Sequence, residues 1–559
     1  MTSRLLRRGK GVVDPLSGLE DKGTVLQEDD VVWSVMLNQT DVSYGVKGHN
    51  KFYSFQIIID NDDGHRAYVF FRWGRVGAKN PQRKLHGPFT KDAAKQLFVS
   101  KFTAKTENDW PVTPPFEPVK GKYTLIELDY SEGDDNSTTM MEAETAKNNP
   151  EQGAAEVVPP STLPVSVQTF VKLICDVDLI AQEVAEMHLD LKRMPLGKLS
   201  KAHLAKGYVI LDFISDTLTT IADLNAASAT KQVEGTSSTP RHRRRSSRVI
   251  KSTASSTTKA QLAKCKAQLK DRTSEFYTLI PHNFGMSLPP VIDSVSELKL
   301  KLDLLQVLED VEITHKMLQT ERNSEVNPVD AHYSALGMTL TEVDASSAEF
   351  TRIQEYIKLT HAPTHRQYKL HVDAVHALHK LEPSHSIDEK DPSLLFDALN
   401  NHQLLWHGSR LSNIASILTK GLRIAPPEAP STGYMFGKGV YFTDVASKAA
   451  NYCWASVHQT KGVLILSDVA LGTPVHVLDA QEYSFEALQK LKCHSLLGVG
   501  RMAPSEATHE TSEDGVKMPK GTLVPTDAEG GSLLYNEYVV YRTDQVRLRY
   551  AVTVTFEFN

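Results

Sequence analysis

Residues 131 to 160 constrain this chain more than any other stretch. Seven acids stand there against Lys147, a net of −6, among Ser, Thr, Asn and Gly and a closing Pro159-Pro160. With so few aromatic and β-branched residues, such a tract cannot bury enough apolar surface to offset the entropy of ordering it. It reads as a disordered linker. A second low-complexity tract runs from Lys231 to Lys259. It holds eight basic residues against Glu234, a net of +7, and contains Arg241-His242-Arg243-Arg244-Arg245-Ser246-Ser247-Arg248. It should loop out between two helices. Three blocks remain that can fold: residues 22 to 130, 161 to 325 and 335 to 559, after a basic tail of residues 1 to 21. The 559 residues set a prior of three or four domains.

Composition narrows the class. At 40% hydrophobic and 23% charged residues, most of the chain can bury a core. Cys175, Cys265, Cys453 and Cys493 lie far apart, with no CxxC or His-rich cluster near them, so neither a disulfide scaffold nor a zinc finger is expected. No apolar run approaches the roughly 18 residues of a membrane span. The opening residues, Met1 to Gly11, are basic but lack the apolar region of a secretory signal. A soluble intracellular protein with reduced thiols is expected. The net charge of −6 argues against a chain that coats nucleic acid throughout. The distribution differs: residues 66 to 105 carry ten Lys or Arg against Asp92 alone, a net of +9.

The first block reads as β-rich. Phe52 to Ile59 and Ala67 to Trp73 are aromatic and β-branched runs, and Asn61-Asp62-Asp63-Gly64 between them is turn chemistry. A helix follows near 90 to 104, with Ala94, Leu97 and Phe98 at helical spacing. The second block is helical: Val167, Phe170, Val171 and Ile174 follow the i, i+3, i+4, i+7 pattern. The third mixes strands and helices. Leu411, Ile414, Ile417 and Leu418 mark a helix that stops at Gly421, and Arg547 to Phe558 reads as a strand.

The glycines of the third block do not form a nucleotide loop. Gly437-Lys438-Gly439 departs from GxxxxGK[ST] and leads into the strand Val440-Tyr441-Phe442, and Gly498-Val499-Gly500 lacks a third glycine and a following helix. Neither an ATPase nor a dehydrogenase is supported. Three other features carry chemistry. Leu404 to Ser409 places His407 and Gly408 at the end of an apolar strand, although a lone His there also fits a core position. Asp444 reads as an N-cap, with Lys448 and Tyr452 four apart on one face of the helix it would start. Glu537 sits inside an otherwise apolar strand, where a carboxylate bears a desolvation cost unless it is hydrogen-bonded or useful.

Together these residues resemble a known signature. Trp406-His407-Gly408-Ser409-Arg410, then Gly433 to Phe442, then Leu534-Tyr535-Asn536-Glu537-Tyr538 are similar to the His-Tyr-Glu signature of poly(ADP-ribose) polymerases. The likeness to DNA-dependent members is extended and includes Gly421 to Pro430. Phe71 to Gly77 resembles the family's Trp-Gly-Arg domain. Met194 to Ser200 and Phe276 to His282 resemble its helical regulatory domain. With no zinc-finger region ahead of them, the order resembles that of the smaller DNA-dependent members. The implied architecture is multidomain α+β: a β-rich Trp-Gly-Arg domain, an all-α helical bundle, and a mixed α/β ADP-ribosyltransferase domain built on antiparallel sheets.

The resemblance implies cleavage of the bond between nicotinamide and ribose in NAD⁺, which is the substrate; no metal is implied for the transfer. The transition state is oxocarbenium-like, and a carboxylate beside the sugar stabilises it. By resemblance Glu537 takes that role, holding the ribose 2′-hydroxyl and polarising the acceptor hydroxyl. His407 would bind the 2′-hydroxyl of the adenosine ribose, and Gly408 would offer its backbone to the nicotinamide amide. Tyr441 and Tyr452 would sandwich the nicotinamide ring, and Ser409 and Arg423 resemble adenosine-side contacts. Lys448 either assists near the acceptor or pyrophosphate or is a solvated helix charge. One departure stands out: the family usually has a Ser after the lysine, and this chain has Ala449.

In the first block the resemblance implies a grip on a DNA strand break through Asn38, Trp73, Arg75 and Tyr123. The +9 stretch suits phosphate contacts. The helical block would cover the NAD⁺ site until a break binds. The tract 241 to 248 fits a nuclear localisation signal or an auxiliary DNA-binding arm. The expected function is a nuclear, DNA-break-activated polymerase that modifies protein acceptors, itself included, with accessory nuclear proteins as further partners and no membrane. Two alternatives are a mono-ADP-ribosyltransferase and a catalytically weak DNA-break-binding scaffold.

Overall fold

The computed structural model describes residues 11–29, 31–46, 48–112, 116–127, 159–189, 199–234, 247–319, 326–380 and 393–559. The acidic linker up to residue 158, the first ten residues of the basic tail, residues 194–198 of the Met194 motif and residues 235–246 of the basic tract lie outside them. The chain packs as two units. One gathers residues up to 155 with 184–308 and 428–430; the other gathers 156–183, 309–427 and 431–559.

The first unit opens with strands β1 (Gly23–Val25), β2 (Ser34–Asp41), β3 (His49–Asp60), β4 (Ala67–Arg75) and β5 (Gln82–Phe89). Helix α1 (Lys91–Thr106) and β6 (Thr124–Leu125) complete the block. The strands form one antiparallel sheet in the order β5-β4-β3-β2-β6, with β1 also on β3. The predicted turn falls at 61–64. The Asp60 carboxylate accepts the N–H of Asp62 at 3.0 Å, an Asx closure that turns β3 back into β4. Thr90 caps α1, its hydroxyl accepting from Ala93 N at 3.3 Å. The helix buries Ala94, Phe98 and Phe102 on the sheet, and the rings of Phe98 and Phe55 lie 4.6 Å apart. β5 ends the ladder with Gln82, Arg83, Lys84 and Leu85 exposed.

The helical block holds α2 (Val165–Ile174), α3 (Val177–Glu186), α4 (Lys201–Glu234), α5 (Ser247–Leu279), α6 (Val295–Gln319) and α7 (Pro328–Ala335). α2 buries Val167, Phe170, Val171 and Ile174, the four residues its spacing picked out. Of the block anticipated over 161–325, residues 161–183 and 309–319 group with the second unit and the described residues of 184–308 with the first. The basic tract is also a shorter interruption than its composition suggested. α4 runs to Glu234 and α5 starts at Ser247, so both described ends of the tract are helical. Ser, Thr and Lys are weak signals against a helix compared with Gly and Pro. Among the described residues, no helix is long and apolar enough to cross a membrane.

The second unit continues with β7 (Met338–Glu342), α8 (Ala348–Leu359), β8 (Tyr368–Lys380), β9 (His402–Gly408) and α9 (Leu411–Lys420). Then come β10 (Val440–Phe442), α10 (Ala446–Ala450), β11 (Lys461–Ala470), β12 (Pro474–Val477) and β13 (Ser495–Gly498). β14 (Glu510–Thr511), β15 (Lys517–Met518), β16 (Glu537–Val540) and β17 (Val546–Phe558) close the chain. Seven strands form one sheet, β14-β15-β9-β11-β17-β8-β7, and four form another, β10-β16-β13-β12. Most neighbours are antiparallel; β9 with β15 and β12 with β13 are parallel. Trp406 and Thr443 stitch the two sheets together, each N–H donating to the other's carbonyl at 2.8 and 3.0 Å. Trp406 is fully buried among Tyr356, Leu404 and Leu466.

Candidate active site

The site gathers beside the Trp406–Thr443 bridge, where His407 follows Trp406 on one sheet and Tyr441 and Glu537 stand on the other. His407 is half-buried. Its Nδ1 lies 3.0 Å from the Tyr441 carbonyl, which can only accept, so Nδ1 carries the hydrogen and Nε2 keeps its lone pair. Burial holds the imidazole pKa below its ordinary value, so the ring is neutral at pH 7. Nε2 can therefore accept from a ligand hydroxyl.

Gly408 is fixed by its neighbour. A Cβ there would stand 1.8 Å from the Ala449 carbonyl oxygen, so β9 can meet α10 this closely only without a side chain. Ala449 is itself buried. The Ser409 hydroxyl accepts from Asn413 Nδ2 at 3.0 Å. Tyr441 pairs with Val539 across β10 and β16. Its hydroxyl donates to Gly437 O at 2.7 Å and accepts from Phe436 N at 3.0 Å. Burial raises its pKa, so it stays a neutral phenol with a fixed ring.

Glu537 heads β16, opposite Gly498. One of its carboxylate oxygens lies 3.0 Å from Lys448 Nζ, and both side chains are only 15% exposed. Lys448 also donates to the carbonyls of Tyr535 and Asn536 at 2.9 and 3.2 Å. Burial lowers the Lys448 pKa while the Glu537 charge opposes that. The Lys448 side chain is thus no solvated helix charge. It neutralises a nearly enclosed anion and ties down the backbone just before it.

Two expectations change. α10 spans only Ala446–Ala450, and Tyr452 lies beyond it in a 3₁₀ turn, 45% exposed, so Lys448 and Tyr452 do not share a helix face. Asp444 is not the N-cap; Val445 is, with no side-chain cap bond. Instead Asp444 is buried and accepts from Asn536 Nδ2 at 2.7 Å and the Tyr538 hydroxyl at 3.1 Å. The local signal, an acid just before a short helix, cannot distinguish a cap from a partner some ninety residues away. Arg423, read as an adenosine contact, pairs with Asp310 and, at 3.4 Å, with Glu309 of α6. Asp310 also accepts from the Ser416 hydroxyl at 2.7 Å. No sequence signal marked Glu309 or Asp310.

The second candidate surface lies on the first sheet. Trp73 stacks on Tyr53, with centroids 5.8 Å apart and planes at 20°, and Tyr123 meets the edge of Tyr53 at 6.2 Å. Lys105 Nζ sits 4.8 Å from the Tyr53 ring and 5.6 Å from that of Tyr123. Burial and neighbouring lysines lower its pKa. Trp73 and Tyr123 thus share one aromatic cluster with a cation over it. Asn38 does not join them. It is fully buried, and its Nδ2 donates to the carbonyls of Tyr277 and Thr278 at the end of α5 at 3.0 and 2.9 Å. Arg75 donates to Gly285 O and Ser287 O, both at 2.6 Å. Tyr53 and Lys105 were not singled out, although both lie in runs the sequence marked as aromatic or basic.

Residues 33–117 match the WGR domain, 161–333 the poly(ADP-ribose) polymerase regulatory domain and 347–556 the poly(ADP-ribose) polymerase catalytic domain. The human protein named poly [ADP-ribose] polymerase 2 is 38% identical over 99% of this chain and 85% of its own length. The chain belongs to the poly(ADP-ribose) polymerase family. Poly [ADP-ribose] polymerase 2 of Arabidopsis thaliana is 36% identical over 99% of this chain and 78% of its own. Poly [ADP-ribose] polymerase 1 of Danio rerio is 35% identical, but the match spans only 48% of that longer protein. The three matched regions fall in the order the family resemblance implied. As a family member with the catalytic domain, the chain is an NAD⁺ ADP-ribosyltransferase. Among the described residues, no three His, Cys, Asp or Glu side chains are grouped to hold a metal ion.

Proposed function

We propose that the protein is a nuclear, DNA-break-activated polymerase that transfers ADP-ribose from NAD⁺ to protein acceptors, itself included, and then extends the chain. The observation that carries this is Glu537, a carboxylate 15% exposed at the head of β16, paired at 3.0 Å with Lys448. As the bond between ribose C1 and the nicotinamide nitrogen breaks, its electron pair leaves with nicotinamide and positive charge grows on the sugar. A fixed anion in a water-poor cleft stabilises that charge more than water would. The same carboxylate accepts a hydrogen bond from the incoming hydroxyl and takes its proton as the hydroxyl oxygen attacks C1. The Lys448 ammonium pairs with the acid and, through the Tyr535 and Asn536 carbonyls, holds the segment that carries it in place.

The neutral His407 ring accepts a hydroxyl of the adenosine ribose through Nε2. The Gly408 backbone takes the nicotinamide amide, and Tyr441 supplies a fixed aromatic wall. Ser409 and Arg423 flank the adenosine side, and Tyr452 stacks on the nicotinamide ring opposite Tyr441. On the first sheet, Trp73, Tyr123 and Lys105 form the face that meets a DNA end. Arg75 and Asn38 connect that face to the chain around residues 277–287. Incubating the full chain with labelled NAD⁺, with and without nicked or blunt-ended DNA, tests the proposal. Long labelled polymer that depends on broken DNA is expected. Single-unit products alone, or labelling indifferent to DNA, would overturn it.

A further inference from the structure

Asp444 is a buried acid that the proposed chemistry does not use. It is 2% exposed and belongs to neither partner in the Lys448–Glu537 pair. One carboxylate oxygen accepts both Asn536 Nδ2, at 2.7 Å, and the Tyr538 hydroxyl, at 3.1 Å. Among the described residues, the other has no partner outside Asp444's own backbone. The two donors are the residues on either side of Glu537. Side chains alternate along an extended chain, so 536 and 538 face one way and 537 the other. The packing agrees: Tyr538 and Val540 lie in the core beneath the seven-stranded sheet, and Val539 packs with Phe436 and Leu496 on the opposite side.

We infer that Asp444 is a positioning residue: it grips both sequence neighbours of Glu537 from the buried side and thereby fixes the direction in which the Glu537 carboxylate enters the cleft. The rest of the segment is held to match. Thr443 Oγ1 donates to Asn536 O at 2.9 Å, and Asn536 Oδ1 accepts from Gly500 N at 2.9 Å. Lys448 restrains the same stretch from the cleft side. Without Asp444, two buried donors lose their acceptor and the peptide at 536–538 can rotate. A shift of about 1 Å in a catalytic group can lower a rate by roughly a hundredfold. The inference rests on the reading of Glu537 as the acid that stabilises the sugar cation.

The test uses the full chain with broken DNA and NAD⁺, comparing wild type, Asp444→Ala, Asp444→Asn and each change combined with Glu537→Gln. Asp444→Ala is expected to lower kcat by roughly ten- to a hundredfold with KM for NAD⁺ within about twofold, and to shorten the polymer. Asp444→Asn keeps an oxygen for both donors and is expected to recover most of kcat. In the Glu537→Gln background, Asp444→Ala should cost little more, because a residue acting only through Glu537 has nothing left to position. An equal further loss in that background, a raised KM with kcat unchanged, or no rescue by Asn would overturn the inference. Where Asp444→Ala does not fold, Tyr538→Phe removes one of the two grips and is expected to show a smaller fall in kcat with the same dependence on Glu537. A wild-type chain that leaves NAD⁺ intact would instead sink the function itself, separately from the Asp444 comparison.

Discussion

Two residues decide how the cleft handles its substrate. Glu537→Gln keeps the shape but loses the anion. It is expected to abolish polymer growth while leaving some single-unit transfer or hydrolysis, and long product on a gel would contradict that. Ala449 sits against Gly408, where the family usually offers a hydroxyl. The nearest hydroxyl along the chain, Ser447, is already engaged with His365 Nδ1 and Ala362 N, each at 2.8 Å. A missing neutral hydrogen bond costs about 0.5–1.5 kcal/mol. Ala449→Ser is therefore expected to tighten a benzamide inhibitor by roughly two- to tenfold in a titration. Unchanged affinity would show that the position does not reach the ligand. His407, Gly408 and Glu537 stood out because their types break the apolar pattern of the strands that hold them, whereas Tyr441 was singled out only by the family resemblance. Asp444 was misread because its partners lie more than ninety residues away, and proximity in sequence favoured a cap.

At the scale of elements, the predictable parts were those set by local rules. α9 ends where its apolar spacing stops: the Gly421 N–H closes on Ile417 O at 2.8 Å. Gly421 has φ 78° and ψ 177°, a conformation almost reserved for glycine. A Cβ there would meet nothing within 4 Å, so the penalty in Gly421→Ala is backbone strain alone. That substitution is expected to cost about 1–3 kcal/mol, read as a lower urea midpoint. A wild-type midpoint would mean that the loop relaxes freely. The helical starts at 201 and 247, and the early end of α10, escaped the sequence reading for one reason. Composition reports what a segment resists, and tertiary neighbours decide where a helix stops.

Across the molecule, the residues read as gripping DNA divide into two kinds. Trp73 and Tyr123 share a half-buried aromatic cluster, whereas Asn38 and Arg75 spend their hydrogen bonds on backbone near residues 277–287. A fold-level periodicity cannot show that, since Asn38 and its acceptor Tyr277 are 239 residues apart. Arg75→Ala is expected to lower break-stimulated activity and, if the guanidinium also meets a phosphate, to reduce the salt slope of DNA binding by about one. Lost stimulation at an unchanged slope would confine Arg75 to its contacts with Gly285 and Ser287. β5, the outermost strand of the first sheet, has a wider meaning. Among the described residues it pairs with β4 alone, and such an edge is a template for another chain. Arg83 and Lys84 stand exposed along it, setting like charge against like wherever two copies tried to zip together. That repulsion favours a dispersed protein over fibrous self-association, and thick salt would weaken the safeguard before it touched the fold.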